Sequence, residues 1–347
     1  MTIERVPARP PVETFNVPQD ISYNWEYETT RRQLMRLYEN AKRDQWNSTE
    51  RLDWSIDVDP ESELIPDQSL GIWGTPMWDK LTPREVARLR REEMAWQLSQ
   101  FLHGEQGALL VTAQIVDSVP WYEAKQYGAT QVMDEARHVE VYRCYLQDKL
   151  QHSYPVNDQL KKLLDTILAD SRWDFKLLGM QILIEGLALA AFTVMRDTVT
   201  CPLLRELTAG VIEDESRHVA YGVLALREYM RDLNEKDRIE REEFVYEASV
   251  LMRERIKDRE VWETMGMDVE ACVAASDNSP IFQEFNRRLF SKIVPNVKSL
   301  GLLSDVQRSR FEKLGVLEFE DGSTSDVDHA LDIAERRSQG EVDLLEA

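Results

Sequence analysis

The sequence predicts an all-α protein built around a four-helix bundle. Two observations lead to this prediction: long segments with helical spacing of apolar residues, and a repeat that relates residues 105–138 to residues 185–218. Neither strand-like alternation nor a glycine-rich phosphate loop occurs between residues 81 and 232. Because the repeat occurs as one pair of segments, we expect two helical hairpins that pack together, and not a solenoid array.

The composition is that of a soluble, acidic globular protein. Of the 347 residues, 43% are apolar and 30% are charged, and the net charge is −21. This charge argues against binding to nucleic acid or to an anionic membrane, since both require a basic surface. Three cysteines without a CxxC motif, and no signal peptide at the N-terminus, lead us to expect a cytoplasmic protein.

The segment before the bundle, residues 1–80, is expected to be an arm followed by a packing helix. Residues 1–27 are rich in proline and lack periodicity, which is typical of an extended chain. Residues 29–46 have apolar residues on one helical face. Residues 50–80 contain tryptophans and prolines and are expected to form loops with short turns.

The bundle itself is expected to span residues 81–235. Its first helix, residues 81–116, opens with Thr82 as the N-cap and Pro83 at the first helical position. The other three helices are predicted at residues 121–151, 158–197 and 202–232. Proline-containing breaks separate the helices of each hairpin, and Thr200 is the expected N-cap of the fourth helix.

Residues 236–317 are expected to add further helices to the bundle. We expect two or three of them between residues 240 and 315, with a break at the sequence SDNSP, residues 276–280. Residues 318–347 are acidic and polar, which is typical of a mobile tail.

The third bundle helix contains a run that is long enough to cross a membrane. Residues 177–195 are almost entirely apolar, but Glu185 lies at the centre of the run. A lone carboxylate there would be costly in lipid. We therefore interpret the run as a helix that is buried on all sides within the bundle, and expect no membrane association.

Two copies of an Asp-Glu-x-Arg-His motif contain the strongest candidate metal ligands in the sequence. They occupy residues 134–138 and 214–218, and each places a Glu three residues before a His on one helical face. Of the five histidines, His138 and His218 are the two that have this preceding Glu.

Two further carboxylates complete the pattern, because Glu105 and Glu185 each precede a motif glutamate by thirty residues. Since each hairpin turn lies near the middle of that interval, the paired carboxylates lie at similar heights, about 20 Å from the turn at ~1.5 Å per residue. Four carboxylates and two imidazoles in a bundle core form the donor set of a dinuclear iron or manganese site. The absence of thiolates favours iron or manganese over structural zinc.

Two metal-free interpretations of the same residues remain open. The arginines of the motifs could form a buried salt-bridge network without metal, or the duplicated site could be inactive. A solvated surface does not account for Glu185, because its neighbours Ile184 and Leu187 are apolar and an unpaired buried carboxylate costs several kcal/mol.

These motifs resemble those of the ferritin-like di-iron carboxylate superfamily, over about residues 85–232. Within it, they are most similar to the hydroxylase subunit of bacterial multicomponent monooxygenases, of the methane and toluene type. The resemblance implies six metal ligands: Glu105, Glu135, His138, Glu185, Glu215 and His218. It also implies that Asp134 orients His218, that Asp214 orients His138, and that Arg137 and Arg217 complete the charge network.

The resemblance to the hydroxylases is incomplete. Both Glu-to-motif intervals are thirty residues, where the hydroxylases have a longer second interval, and Leu189 replaces their threonine one turn after the third-helix ligand. Tyr142 instead matches the radical tyrosine of the ribonucleotide reductase small subunit, which implies a redox role for it as a catalytic residue. The arylamine N-oxygenase group has similar paired motifs and is a third relative.

The function that this resemblance implies is that of an O₂-activating oxidoreductase with two iron ions, or with manganese or a mixed Mn/Fe pair. It would hydroxylate, N-oxygenate or desaturate a small organic molecule, take electrons from an external reductase and act as a homodimer. The expected apolar lining of the site is Leu109, Ala113, Ile184, Leu189, Phe192 and Val211. The alternatives are a ferritin-like ferroxidase and a radical-generating subunit.

Overall fold

The computed structural model describes residues 12–14, 16–59 and 62–324, and these form an all-α protein without strands. The α-helices are α1 (Arg32–Arg43), α2 (Ser48–Arg51), α3 (Pro83–Ser118), α4 (Tyr122–Cys144), α5 (Asp158–Ala169), α6 (Trp173–Leu177), α7 (Glu185–Thr198), α8 (Pro202–Arg231), α9 (Glu235–Glu254), α10 (Arg259–Met265), α11 (Val269–Asn278), α12 (Pro280–Arg288), α13 (Ile293–Ser299) and α14 (Asp305–Lys313). Two π-helical segments occur at Tyr145–Leu150 and Leu178–Ile184, and 3₁₀ turns occur at Asp67–Ser69, Trp78–Lys80 and Leu317–Asp321. The predicted fold class is confirmed.

Helices α3, α4, α7 and α8 form the core bundle as two hairpins, α3 with α4 and α7 with α8. The first hairpin begins as predicted, because Thr82 and Glu85 form a reciprocal capping box: Thr82 Oγ1 accepts from the Glu85 backbone N–H, and Glu85 Oε2 accepts from the Thr82 backbone N–H. Helix α1 packs across α4 and α8 and so covers one side of the bundle.

The third bundle helix differs from the prediction of one helix over residues 158–197. The chain breaks at residues 170–172, where the Asp170 side chain accepts a hydrogen bond of 2.9 Å from the Arg172 backbone N–H. Such a local bond competes with helix propagation. The helix that follows runs through α6 and a π-helical segment into α7, and the π segment ends at Ile184, directly before Glu185.

The prediction that Thr200 caps the fourth helix was wrong. The N-cap is Cys201, with Pro202 at the first helical position and no side-chain capping bond. The Thr200 hydroxyl instead donates to the Glu63 carbonyl at 2.6 Å, and the Thr200 backbone N–H donates to the Leu64 carbonyl. These bonds attach the α7–α8 turn to the loop that precedes the bundle.

The region after the bundle contains more helices than predicted. Six short or medium helices, α9 to α14, replace the expected two or three, because caps interrupt the chain repeatedly. Gly266 ends α10 at a φ of +71°, and Ser279 both follows α11 and caps α12, at the predicted SDNSP break. Most of the predicted mobile tail, residues 325–347, and the first eleven residues of the predicted arm lie outside the described residues.

The apolar run that passes for a membrane span is a core helix. Among the described residues, one helix is both long enough and apolar enough to cross a bilayer, and it spans Trp173–Thr198. In its most apolar stretch, 83% of the residues are buried inside the protein. The interpretation of this run as a buried bundle helix is therefore consistent with the structure.

Candidate metal centre

Four helices bring the six predicted side chains together in the centre of the bundle. Glu105 comes from α3, Glu135 and His138 come from α4, and the equivalent residues of the repeat come from α7 and α8. All six side chains are buried, the most exposed being Glu105 at 6%. Their donor atoms form two overlapping groups, each with its atoms within 4.8 Å of one another, and Glu135 belongs to both.

Glu135 and Glu215 each face both imidazoles. For His138, Nδ1 lies 3.4 Å from Glu135 Oε2 and 3.2 Å from Glu215 Oε1. For His218, Nδ1 lies 3.2 Å from Glu135 Oε1 and 3.5 Å from Glu215 Oε2. Each of these carboxylates therefore turns one oxygen to each half of the site, which is the arrangement that a carboxylate bridge between two cations requires.

The remaining two carboxylates lie on opposite sides of this pair. Glu105 Oε2 is 3.3 Å from His138 Nδ1, so that Glu105 belongs to the His138 side. Glu185 groups with Glu135 and His218. The site thus has two halves, each with one imidazole and one carboxylate of its own, and Glu135 and Glu215 lie between them.

Gln131, which the sequence analysis missed, contacts two carboxylates of the site. It lies on α4, one turn before Glu135, and is completely buried. Its Nε2 donates to Glu185 Oε1 at 2.8 Å and to Glu135 Oε1 at 2.9 Å. This amide fixes the orientation of Glu185, and neither periodicity nor motif spacing distinguishes it from an ordinary core residue.

The aspartates of the motifs cross between the two halves of the repeat. Asp214 Oδ2 lies 3.1 Å from His138 Nε2, and Asp134 Oδ2 lies 3.3 Å from His218 Nε2. When an aspartate accepts the Nε2 hydrogen, the Nδ1 lone pair remains free and faces the carboxylates. The aspartates thus occupy the positions that the resemblance implies.

The motif arginines connect to these aspartates. Arg137 donates to both Asp134 and Asp214, in the second case at 2.9 Å, and Arg217 donates to Asp214. Both guanidinium groups are at most 9% exposed, so their charges act at short range in a medium from which water is largely excluded.

Two residues of the packing helix region also reach the aspartates, and the sequence analysis did not identify either. Gln45 Nε2 donates to Asp134 Oδ1 at 2.7 Å, and Trp46 Nε1 donates to Asp214 Oδ2 at 2.9 Å. Both follow the C-terminus of α1, which packs on α4 and α8. They lie outside the repeat, so that no spacing in the sequence links them to the site.

The acidic side chains of the cluster outnumber its arginines, so the cluster has an excess of negative charge. Burial, and then the Glu215 carboxylate, raise the pKa of Glu185 well above its usual value. Burial alone would lower the pKa of His138 and of His218, but the neighbouring carboxylates outweigh burial and raise both. Burial disfavours the ionisation of Asp214, yet the hydrogen bond with His138 and the Arg217 charge lower its pKa. The cluster therefore attracts protons in the way that it would attract cations.

These residues fit a pair of divalent metal ions. With all six carboxylates ionised and both imidazoles neutral, as metal binding requires, the two guanidinium groups leave four negative charges, which two divalent cations would balance. Buried donor atoms also lack hydrogen-bond partners among the described residues: Glu135 Oε2, Glu185 Oε2, Glu215 Oε2 and His218 Nδ1. Because such atoms are costly to bury without a partner, they are suited to metal coordination. The oxygen-rich donor set matches iron, or manganese.

Tyr142, the predicted catalytic residue, is completely buried one turn after His138. Its hydroxyl has no hydrogen-bond partner among the described residues, and burial together with the Glu105 charge raises its pKa well above the usual value. The phenol therefore remains protonated at neutral pH. Its ring centroid lies 5.9 Å from that of Phe101 and 6.1 Å from that of Phe192.

Four of the six residues that were predicted to line the site are buried. Ile184, Leu189, Phe192 and Val211 are buried, whereas Leu109 is half-buried and Ala113 is exposed. Ala113 follows Glu105 by eight residues, which rotates it by about 80° from Glu105 around the helix at 3.6 residues per turn. This rotation takes Ala113 out of the bundle core, and the prediction for it was wrong.

Comparison with known proteins identifies the family. The sequence profile of the family described as P-aminobenzoate N-oxygenase AurF matches residues 27–301, which is most of the chain. No curated protein sequence matches significantly. The match extends beyond the bundle at both ends, so that the packing helix α1 and helices α9 to α13 belong to the family's common region.

One solved structure supports the same fold, and a second is reported for its similarity in sequence. An R2-like ligand-binding oxidase with an aerobically reconstituted metal cofactor after photoconversion is 16% identical at a TM-score of 0.51, and the match covers 79% of this chain and 94% of that one. The same kind of oxidase with an aerobically reconstituted Mn/Fe cofactor is 17% identical at a TM-score of 0.42, with 76% and 93% covered.

These findings confirm the resemblance to the ferritin-like di-iron superfamily, and of the relatives that the motifs suggested, it is the arylamine N-oxygenase group whose profile matches. The enzyme class is accordingly an O₂-activating oxidoreductase with a di-iron type of cofactor that oxidises a small organic molecule. The chain is a member of the P-aminobenzoate N-oxygenase AurF family.

Proposed function

We propose that this protein N-oxygenates an aromatic amine at two iron ions held by Glu105, Glu135, His138, Glu185, Glu215 and His218. The observation that supports the proposal most strongly is the convergence of six buried donors from four helices, with Glu135 and Glu215 between the two imidazoles. The choice of an amine substrate follows the description of the family.

The proposed role of the bound iron pair is to supply electrons and Lewis acidity for the activation of O₂. The protein contributes the geometry. Asp134 and Asp214 hold the Nε2 hydrogens and fix both imidazoles, while Gln131 holds the Glu185 carboxylate. The fixed side chains need little rearrangement on metal binding, which favours a defined site.

The walls around the site exclude water. Leu189 and Val211 each lie one helical turn from a carboxylate of the cluster, and both are buried, as is Phe192. In such a dry environment, charges act over short distances with little screening. We propose that an apolar aromatic substrate is oxidised beside this wall.

We propose that Tyr142 has a catalytic role as a proton or hydrogen-atom donor. Its hydroxyl is protonated, buried and without a partner among the described residues, and the charge of Glu105 acts on it. Tyr142→Phe should therefore slow turnover without changing metal content. If turnover is unchanged in this variant, Tyr142 is a packing residue.

We further propose an external reductase as the electron source and a homodimer as the assembly. Insertion of one oxygen atom from O₂ into an amine, with reduction of the other to water, consumes two electrons beyond those of the amine itself. Without a reductant, an enzyme loaded with reduced iron should stop after about one turnover, whereas a chemical reductant should restore continuous reaction.

The direct test of the reaction uses the full chain loaded anaerobically with Fe(II) and mixed with ¹⁸O₂ and 4-aminobenzoate. We expect mass spectrometry to detect hydroxylamino or nitro products that contain ¹⁸O. Glu185→Ala should yield none, and the exposed-residue variant Glu228→Ala should match the wild type.

Two other results would favour one of the alternative functions over N-oxygenation. Iron uptake of hundreds of ions per particle without substrate oxidation would indicate a ferroxidase. A persistent tyrosyl signal that disappears in Tyr142→Phe, again without substrate oxidation, would indicate a radical-generating subunit.

A further inference from the structure

A cavity lies along α3 and α7. Its outer part has a volume of about 500 Å³ and lies between these helices, α12 and the loop around Leu70. Its walls are mainly apolar and include Ile65, Val194, Met195, Ile281, Phe282 and Phe285. This volume is typical of a pocket for a small molecule.

The outer cavity continues inward into a chamber of about 50 Å³. Glu93, Gln97, Phe282 and Phe285 line both spaces, so that the two are adjacent. The chamber has room for a small group such as a carboxylate.

The inner chamber approaches the metal centre to within about one helical turn. Phe101, which lines it, precedes Glu105 by four residues on α3, or about 6 Å along the helix axis. The Phe101 ring centroid lies 4.7 Å from that of Phe192. The Phe101 ring, which contacts Phe192, therefore forms part of the inner wall of the chamber.

Arg255 gives the chamber its chemical character. This residue follows the last turn of α9, lines the chamber and is 9% exposed. The Asn157 amide holds its backbone, because Asn157 Nδ2 donates to the Arg255 carbonyl at 2.8 Å. The guanidinium itself makes no hydrogen bond or ion pair with any residue that the structure describes. A buried cation in this position is costly unless an anion joins it.

Neither of the nearby acids, Glu93 and Asp258, forms an ion pair with this cation, although Asp258 is ionised at neutral pH. Burial raises the pKa of Glu93 well above its usual value, and the Asp258 carboxylate raises it further. Burial also raises the pKa of Asp258 to about 6. The two acids interact with each other, whereas burial lowers the pKa of Arg255 only to about 10, so that its guanidinium is charged at neutral pH.

We infer that this chamber binds the carboxylate of an amphiphilic monocarboxylic acid through Arg255, while the apolar body of the ligand occupies the outer cavity. A guanidinium offers paired donors that match the two oxygens of a carboxylate. The chamber fits the head group, and the apolar walls fit the body. This site is distinct from the metal centre and does not depend on the proposed N-oxygenation.

The test is calorimetric titration of the metal-loaded full chain with octanoate, and with octanamide as a neutral analogue. We expect octanoate to bind at least about tenfold more tightly than octanamide, because the amide cannot accept a charge-assisted pair of hydrogen bonds. Arg255→Gln should weaken octanoate at least about tenfold and leave octanamide unchanged.

Arg288 provides the matched control, because it lines the mouth of the outer cavity and pairs with Glu284 at 2.8 Å. Arg288→Gln should leave octanoate binding unchanged. Equal affinities for octanoate and octanamide would overturn the inference, as would loss of binding in Arg288→Gln together with unchanged binding in Arg255→Gln.

The melting temperature separates a binding role from a structural one. Without ligand, Arg255→Gln should melt no lower than the wild type, because the variant removes an unpaired buried charge. If Arg255→Gln does not fold, the role of Arg255 is structural and the inference fails, unless Arg255→Lys folds and retains the preference for octanoate over octanamide.

Discussion

One carboxylate oxygen of Glu135, Oε1, lies 3.2 Å from Nδ1 of His218, although the two residues belong to different halves of the repeat. Its other oxygen lies 3.4 Å from Nδ1 of His138. The duplicated hairpins are therefore not two independent sites. Each half supplies a carboxylate that faces the histidine of the other half, so the two ligand groups share donors.

The crossed aspartates lead to the first prediction. Asp214→Asn should lower metal affinity in the His138 half by about 10- to 100-fold, because the imidazole loses the charged acceptor that fixes its tautomer. Competition with a chromophoric chelator measures this affinity. Asp134→Asn is the matched variant and should weaken the other half, next to His218. Equal affinities in the wild type and both variants would show that the aspartates do not orient the ligands.

Gln131 gives an asymmetric prediction. Gln131→Leu should weaken the half of the site that contains Glu185 by about tenfold, because it removes the amide that donates to Glu185 and Glu135. The half that contains Glu105 should keep most of its affinity. Stepwise titration with Fe(II) under anaerobic conditions resolves the two binding events. Two equally weakened steps, or none, would contradict the assigned role of Gln131.

The buried pair of Glu93 and Asp258 predicts a dependence of stability on pH. The pKa of Asp258 is raised to about 6 in the folded protein, so the folded state binds this proton more tightly than the unfolded chain. Its contribution therefore favours folding at low pH and is lost as the pH rises from about 4 through about 6.

Asp258→Asn tests this prediction, since an amide resembles the protonated acid and can still accept from Trp262 Nε1. The free energy of unfolding of the variant should rise relative to the wild type between pH 4 and pH 6, as urea denaturation at each pH would show. A constant difference between the two proteins across this range would mean that the carboxyl titrates normally.

Much of the candidate site was predictable because its residues carry a periodic signal. The Glu-x-x-His pairs lie on single helical faces, and the interval of thirty residues from Glu105 to Glu135 translates directly into equal heights in a hairpin. Burial of Glu185 followed from its apolar neighbours. These features depend on local geometry and on one turn in each hairpin.

Some residues were not predicted because their positions depend on contacts between segments that are distant in the sequence. Gln45 and Trp46 reach the aspartates because α1 packs across the bundle, and no spacing in the sequence encodes that packing. The position of the Arg255 guanidinium likewise depends on the packing of α9 next to α5. The helix break at residues 170–172 was missed because a side-chain bond of Asp170, and not proline or glycine, produces it.

The central claim is that six buried side chains bind two adjacent metal ions. The most direct measurement is the number of iron ions per chain, by elemental analysis after anaerobic loading and gel filtration, in the wild type, in Glu185→Ala and in Glu228→Ala. We expect two ions in the wild type and in Glu228→Ala, and fewer than two in a folded Glu185→Ala. Equal iron content in all three proteins would contradict the assignment.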